Sequence, residues 1–165
     1  WRPFLLGAVF KATGNEMPAR IPNKAKCMVG DMKRWAERYG VPITVPSRFP
    51  LSTLAAQRAL VATDRLAGHD AQRKLAKALF HAYWAEDLDV SDKGVIAELA
   101  IKAGLDGAAI AAATDAPETK DALRAVTDEA VTRGAFGAPA IFVGEDLFWG
   151  NDRLGLLEDH LARPA

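Results

Sequence analysis

One cysteine, Cys27, occurs in 165 residues. A single thiol can form no internal disulfide, and no CxxC pair is present for dithiol redox chemistry. The usage fits a reducing compartment such as a bacterial cytoplasm. An excess of charge of either sign is also missing, since 21 Lys+Arg balance 21 Asp+Glu. That argues against nucleic acid as the main partner, because phosphate binding needs a basic face. No apolar run approaches the length that spans a bilayer, so no membrane partner is expected. His69, His81 and His160 show no HxxxH spacing and no adjacent cysteine, so no metal site is expected. Internal repeats and low-complexity linkers are absent as well.

What is present is ordinary globular material: half the residues are hydrophobic and a quarter charged. The length suits one domain with one helical insertion, enough to bury a core. The most organised stretch is residues 134–153, GAFGAPAIFVGEDLFWGNDR. Pro139 precedes the strand formers of residues 140–143. Gly144, Glu145 and Asp146 are turn chemistry, and Leu147, Phe148 and Trp149 make a second apolar run. Gly150, Asn151 and Asp152 stop the strand and offer caps to a helix over residues 153–161. Pro139 is open to two readings. It is a trans turn proline, or it closes a cis bond with Ala138, since only X-Pro bonds reach cis at modest cost. A cis bond would turn the N–H and C=O of Ala138 outward as a free edge to which an extended peptide can add. The helix start at Asn151 and Asp152 would suit that peptide's carboxylate.

Upstream, residues 1–6 read as the end of a strand, with Pro3 at an edge position. Residues 7–22 follow as a loop or short helical turn rich in breakers. Residues 23–39 are helical, ended by Gly40. Residues 41–50, with three prolines, form an extended connector. The middle is helix after helix: one over 53–66 capped by Ser52 and ended by Gly68, and one from Asp70 to about residue 86. A third is capped by Ser91 or Asp92, a short alanine-rich one opens at Asp106, and a last one opens at Pro117.

The string GAFGAPAIFVGEDLFWGNDRL resembles the C-terminal signature of 2-hydroxychromene-2-carboxylate isomerases, relatives of the kappa-class glutathione transferases within the DsbA-like thioredoxin-fold group. At the other end, LLGAVFKATGNEMPARIPNKAKCMVGDMKRWAERYGVP is similar to the segment that follows the second strand in the same family. The resemblance covers nearly the whole chain, with a generic helical middle. It implies an α/β, thioredoxin-like fold with a large all-helical insertion, a cis proline and a homodimer. Residues 1–22 and 116–165 would form the thioredoxin-like part and residues 23–115 the insertion. In the resembled fold a first strand lies between the second strand and the proline strand, and the helix after it carries a serine that interacts with the glutathione sulfur. A hydroxyl at a helix N-terminus favours thiolate over thiol. That βα unit, roughly 30 to 40 residues, is expected upstream of Trp1. A polypeptide limited to residues 1–165 is therefore expected to be inactive or nearly so. Ser47, Ser52 and Ser91 have sufficient explanations as loop residues or caps.

The implied function is glutathione-dependent cis–trans isomerisation of 2-hydroxychromene-2-carboxylate, or a related aromatic acid, to trans-o-hydroxybenzylidenepyruvate in aromatic hydrocarbon breakdown. By resemblance, Asn15 bonds the tripeptide and Lys24 pairs with one of its carboxylates. The backbone of Ala138, before Pro139, pairs with the cysteinyl part, while Asn151 and Asp152 hold the γ-glutamyl end. Taken singly, Asn15 is also a Gly-Asn turn residue, Lys24 a solvated charge and Asn151-Asp152 plain caps. Phe10, Lys11, Trp84 and Trp149 are weaker candidates for an aromatic acid pocket; Trp84, i+4 from Phe80, and Trp149 also read as core. Three other functions stand beside this one. They are a DsbA-like thiol-disulfide oxidoreductase with its CxxC upstream, a kappa-like glutathione transferase, and a thiol-peptide binding module without turnover.

Overall fold

The computed structural model describes residues 1–163. Helices α1 (Leu6–Thr13), α2 (Pro22–Tyr39), α3 (Leu54–Trp84), α4 (Lys93–Lys102), α5 (Gly107–Thr114) and α6 (Pro117–Thr132) precede strands β1 (Ala140–Val143) and β2 (Asp146–Trp149), and α7 (Leu154–Leu161) follows. Single 3-10 turns stand at Pro18–Arg20 and Asn151–Arg153.

The boundaries follow local chemistry. Pro22 opens α2 and Gly40, at φ 63°, closes it by donating to the carbonyls of Ala36 and Glu37. Asp92 caps α4 by accepting from the N–H groups of Gly94 (2.6 Å) and Val95 (3.2 Å). Asp106 does the same for α5 through Ala109 N (2.9 Å). Gly68 breaks α3 at φ 82°, ψ 174°, a conformation other residues rarely adopt. The expected cap Ser52 is replaced by Thr53, which occupies the N-cap position without a side-chain bond; Asp70, two residues past the Gly68 break, lies 3.5 Å from Arg73.

The expectation of an N-terminal strand fails: residues 1–6 are not a strand. The Leu5 carbonyl accepts from Ala8 and Val9 as the start of α1, and the Leu5 N–H donates to Thr127 Oγ1 (3.1 Å). Both peptide groups that a sheet needs at this residue are therefore spent elsewhere. Residues 7–22, expected as a loop or short helical turn, take helical form in α1 and again at Pro18–Arg20. Gly7 in a helix costs about 1 kcal/mol against alanine, which the fully buried Val9 and the packing of α1 on α6 outweigh.

The main core is helical. Ala56, Ala59, Leu75, Leu79, Ala82, Tyr83, Ile96, Leu99, Ala100 and Ile110 form one buried cluster across α3, α4 and α5, joined by Val90. Val9, Leu123 and Ala135 are buried outside it. β1 and β2 pair antiparallel, with Ala140 opposite Trp149 and Val143 opposite Asp146, the hairpin expected from the sequence. No helix among the described residues is long and apolar enough to cross a membrane.

Candidate functional site

The approach to β1 decides the site. The Ala138–Pro139 peptide is cis, and Ala138 is exposed. Neither its N–H nor its C=O makes a hydrogen bond among the described residues. One residue later the Pro139 carbonyl is occupied, accepting from Gly150 N at 3.1 Å. The hairpin thus closes directly behind the open peptide groups and delivers Asn151 and Asp152 beside that closure. These are the backbone donor and acceptor that an added extended peptide needs.

Asn15 reaches this segment from the far end of the chain. Gly14, at φ 71°, ends α1 in a left-handed turn. Asn15 Nδ2 then donates to the Phe136 carbonyl (2.7 Å), while its Oδ1 accepts from Glu16 N (2.8 Å). On the other side the Trp149 ring lies 4.9 Å from the Phe136 ring. A Cβ built on Gly137 would stand 2.3 Å from Trp149 Nε1. Phe136 and Gly137 thus frame the candidate site, a role that their residue types alone do not indicate. The available signal was a glycine between an aromatic and an Ala-Pro pair.

Asn151 and Asp152 start the last helical segment, yet neither makes a side-chain capping bond there. Asn151 is half-buried. The Asp152 carboxylate accepts from Arg153 Nη1 at 2.6 Å, and its Oδ1 lies 2.5 Å from where a Cβ on Gly150 would be. Plain capping therefore does not explain the pair.

The remaining candidates separate. Lys24 is exposed in the first turn of α2 and makes no hydrogen bond or salt bridge among the described residues. Lys11 is exposed and Phe10 half-buried on α1. Trp84 belongs to another place: it packs with Phe49 (6.0 Å) and Tyr83 (5.1 Å) and lines a small apolar contact with Met28, Val29, Met32 and Val45. Trp84 packs against the main core cluster as its core reading expected, whereas its i−4 neighbour Phe80 is 59% exposed. Cys27 is exposed rather than packed.

Ser47 and Ser91 have structural partners away from the hairpin. Ser47 N donates to Asp87 Oδ1 (2.8 Å), and Ser91 Oγ donates to Asp89 Oδ1 (2.5 Å). The side chain of each serine first, and its N–H second, hold the facing carboxyl below the usual carboxylate range. No group of three or more metal-ligating side chains forms among the described residues.

Comparison with known proteins agrees with this geometry. The DSBA-like thioredoxin domain family matches residues 1–162. The chain is 34% identical to a 2-hydroxychromene-2-carboxylate isomerase of Sphingobium xenophagum, over 98% of this chain and 81% of that protein. It is 31% identical to glutathione S-transferase kappa 2 of Caenorhabditis elegans, over 99% of this chain and 78% of that one. A solved structure of a 2-hydroxychromene-2-carboxylate isomerase superposes with a TM-score of 0.86 at 26% identity, covering 98% of this chain and 78% of that one.

Proposed function

The chain belongs to the DSBA-like thioredoxin family, together with the 2-hydroxychromene-2-carboxylate isomerases and kappa glutathione transferases, and from that premise we propose a glutathione-dependent cis–trans isomerase acting on 2-hydroxychromene-2-carboxylate or a related aromatic acid. The observation that carries the proposal is the unpaired, exposed peptide of Ala138 ahead of a cis proline, with the Asn151-Asp152 helix start closed against it through Gly150.

Each residue has a role in this reading. Ala138 pairs in strand fashion with the cysteinyl part of glutathione. The N–H groups of Asn151 and Asp152 take the γ-glutamyl carboxylate, that of Arg153 being bonded to the Gly150 carbonyl, and the Asp152 carboxylate takes its ammonium in competition with Arg153. Lys24, free of other ion pairs among the described residues, supplies a mobile positive charge to a carboxylate of the tripeptide. When bound, glutathione supplies a thiolate that adds reversibly to a substrate C=C bond, permits rotation and leaves unchanged. The protein orients the reactants and favours the thiolate. The Ser91 hydroxyl is committed to Asp89 and the Ser47 N–H ties that residue to Asp87, away from the hairpin, so the thiolate-favouring hydroxyl is not assigned to them, nor to the loop residue Ser52. Lys11 and Phe10 are the candidates for the anionic and aromatic parts of the substrate.

The division into a thioredoxin-like part (1–22 and 116–165) and a helical insertion (23–115) belongs to the same reading. It is supported by a core cluster whose members all fall between positions 56 and 110. A kappa-like transferase is the second reading, favoured by the worm relative.

The test has two arms. Calorimetric titration with glutathione examines binding, and no heat of binding would remove the proposal. An absorbance assay of 2-hydroxychromene-2-carboxylate, with and without glutathione, examines the chemistry. It is run on residues 1–165 and on the same chain with any upstream coding sequence. Turnover independent of glutathione rejects the mechanism, and equal activity of the two chains rejects an upstream serine.

A further inference from the structure

Gly137 lies on the approach to the open peptide, and its backbone does not require glycine. Seven other glycines take positive φ, but Gly137 is not among them. What excludes a side chain is Trp149. A Cβ at 137 would meet indole Nε1 at 2.3 Å, Cε2 at 3.0 Å and Cδ1 at 3.3 Å, well inside contact distance. The indole rests on bare backbone, and its other neighbour is the Phe136 ring at 4.9 Å. Asn15 holds the Phe136 carbonyl at 2.7 Å. Residues 136 and 137 are therefore gripped twice, by the tilted ring contact with Trp149 and by a side-chain amide from Asn15, directly before the unpaired groups of Ala138.

We propose that Trp149 is the positioning residue of this site: its indole takes the space of a side chain at position 137 and, together with Asn15, fixes residues 136–138 so that the Ala138 peptide stands open. The consequence for ligand rests on reading Ala138 as the backbone partner of glutathione; the clamp itself does not. Trp149 is placed for this by the hairpin, where it pairs with Ala140 across the ladder. The side chain leaning on Gly137 is thus fixed by the same register that closes β1 on β2. In this arrangement Trp149 acts through the backbone it supports and needs no contact with substrate.

The geometry makes a specific demand. A methyl group at 137 is harmful only while the indole is present. Backbone 15N relaxation of the ligand-free protein reads this in the wild type, Trp149→Phe, Trp149→Ala, Gly137→Ala and the Gly137→Ala/Trp149→Ala double variant. Order parameters of Gly137 and Ala138 are expected in the rigid range near about 0.85 in the wild type and below about 0.6 in Trp149→Ala and Gly137→Ala. Trp149→Phe stays near the wild type, and the double variant is no looser than Trp149→Ala alone. Unchanged order in Trp149→Ala, or additive loosening in the double variant, overturns the clamp.

Glutathione titration of the same proteins reads the consequence. Trp149→Ala is expected to weaken binding about tenfold, the cost of a misplaced recognition group, with Trp149→Phe retaining most of the affinity. Equal affinity of Trp149→Ala and the wild type overturns the positioning role. Absence of binding in the wild type removes the glutathione reading and leaves the relaxation comparison to decide the clamp.

Discussion

Arg133 and Phe142 are joined by a cation–π contact, with the guanidinium carbon 4.1 Å from the ring centroid. The same guanidinium donates from Nη2 to the Gly144 carbonyl at 2.9 Å. Arg133 is the residue at the C-terminal end of α6, so this single side chain ties the end of the helix to β1 and to the hairpin turn. Planarity lets one group make both contacts, which lysine cannot reproduce. An exposed cation–π pair with a charged hydrogen bond is worth about 1 kcal/mol.

Arg133→Ala is accordingly expected to speed amide hydrogen exchange in the β1–β2 ladder about fivefold, the equivalent of that energy, with Arg133→Lys in between. Exchange in α3 and α4 should not change. Equal exchange in the ladder of the wild type and Arg133→Ala would show that the tie contributes nothing.

The hairpin was legible in the sequence because its signals are local: a proline before a β-branched and aromatic run, a Gly-containing turn, and a glycine stop. The caps Asp92 and Asp106 were legible for the same reason. The N-terminus was not. Whether residues 1–6 form a strand depends on a neighbouring strand, and here the Leu5 peptide groups go to Thr127 and to α1, which no short window contains. Asn15 was singled out by resemblance, but its bond to the Phe136 carbonyl spans 121 positions. Trp149 and Gly137 were individually visible, yet their contact depends on the cross-strand register and the turn before Pro139. Trp84 and Phe80 were paired by helical spacing; spacing shows a shared face and not which neighbour covers it, and Phe80 has none to bury it.

The acid side of stability should depend on Asp115. The Lys93 ammonium bonded to it, helped by the charges of Lys120 and Arg58, holds its carboxyl below the usual range. A depressed folded-state value means stability that is present above the ordinary aspartate pKa and lost as pH falls through the lower folded value. In urea titrations, wild type is expected to exceed Asp115→Asn near neutral pH and to converge on it in acid, once the pH has fallen below the lowered folded value. A stability gap that stays constant across that window would remove this carboxylate from the acid response. Because the pair is exposed, salt should narrow the gap.

Leu75 is fully buried in the α3–α4–α5 cluster, whereas Leu156 on α7 is 57% exposed and α7 buries no residue. Leu75→Ala should cost about 2–5 kcal/mol through lost transfer energy and a residual cavity. Leu156→Ala should stay within about 0.5 kcal/mol. Urea unfolding followed by circular dichroism measures both. Comparable losses would mean that α7 is stabilised by packing beyond the contacts seen in this structure.

The ligand side is tested most sharply by charge. In the proposed function Lys24 meets a carboxylate of the tripeptide and Asp152 its γ-glutamyl ammonium, and they differ in what they give up. Lys24 has no salt bridge to lose among the described residues, so Lys24→Ala should leave stability unchanged and weaken glutathione by about 1–2 kcal/mol, a typical charged hydrogen bond. Asp152 is already paired with Arg153. Asp152→Asn should weaken the ligand comparably, and the loss should be smaller for a glutathione analogue lacking the γ-glutamyl ammonium. Calorimetry with both ligands reads this directly. If Asp152→Asn weakens both equally, the ammonium is not at Asp152, and the assignment of the γ-glutamyl end to the Asn151–Arg153 turn falls with it.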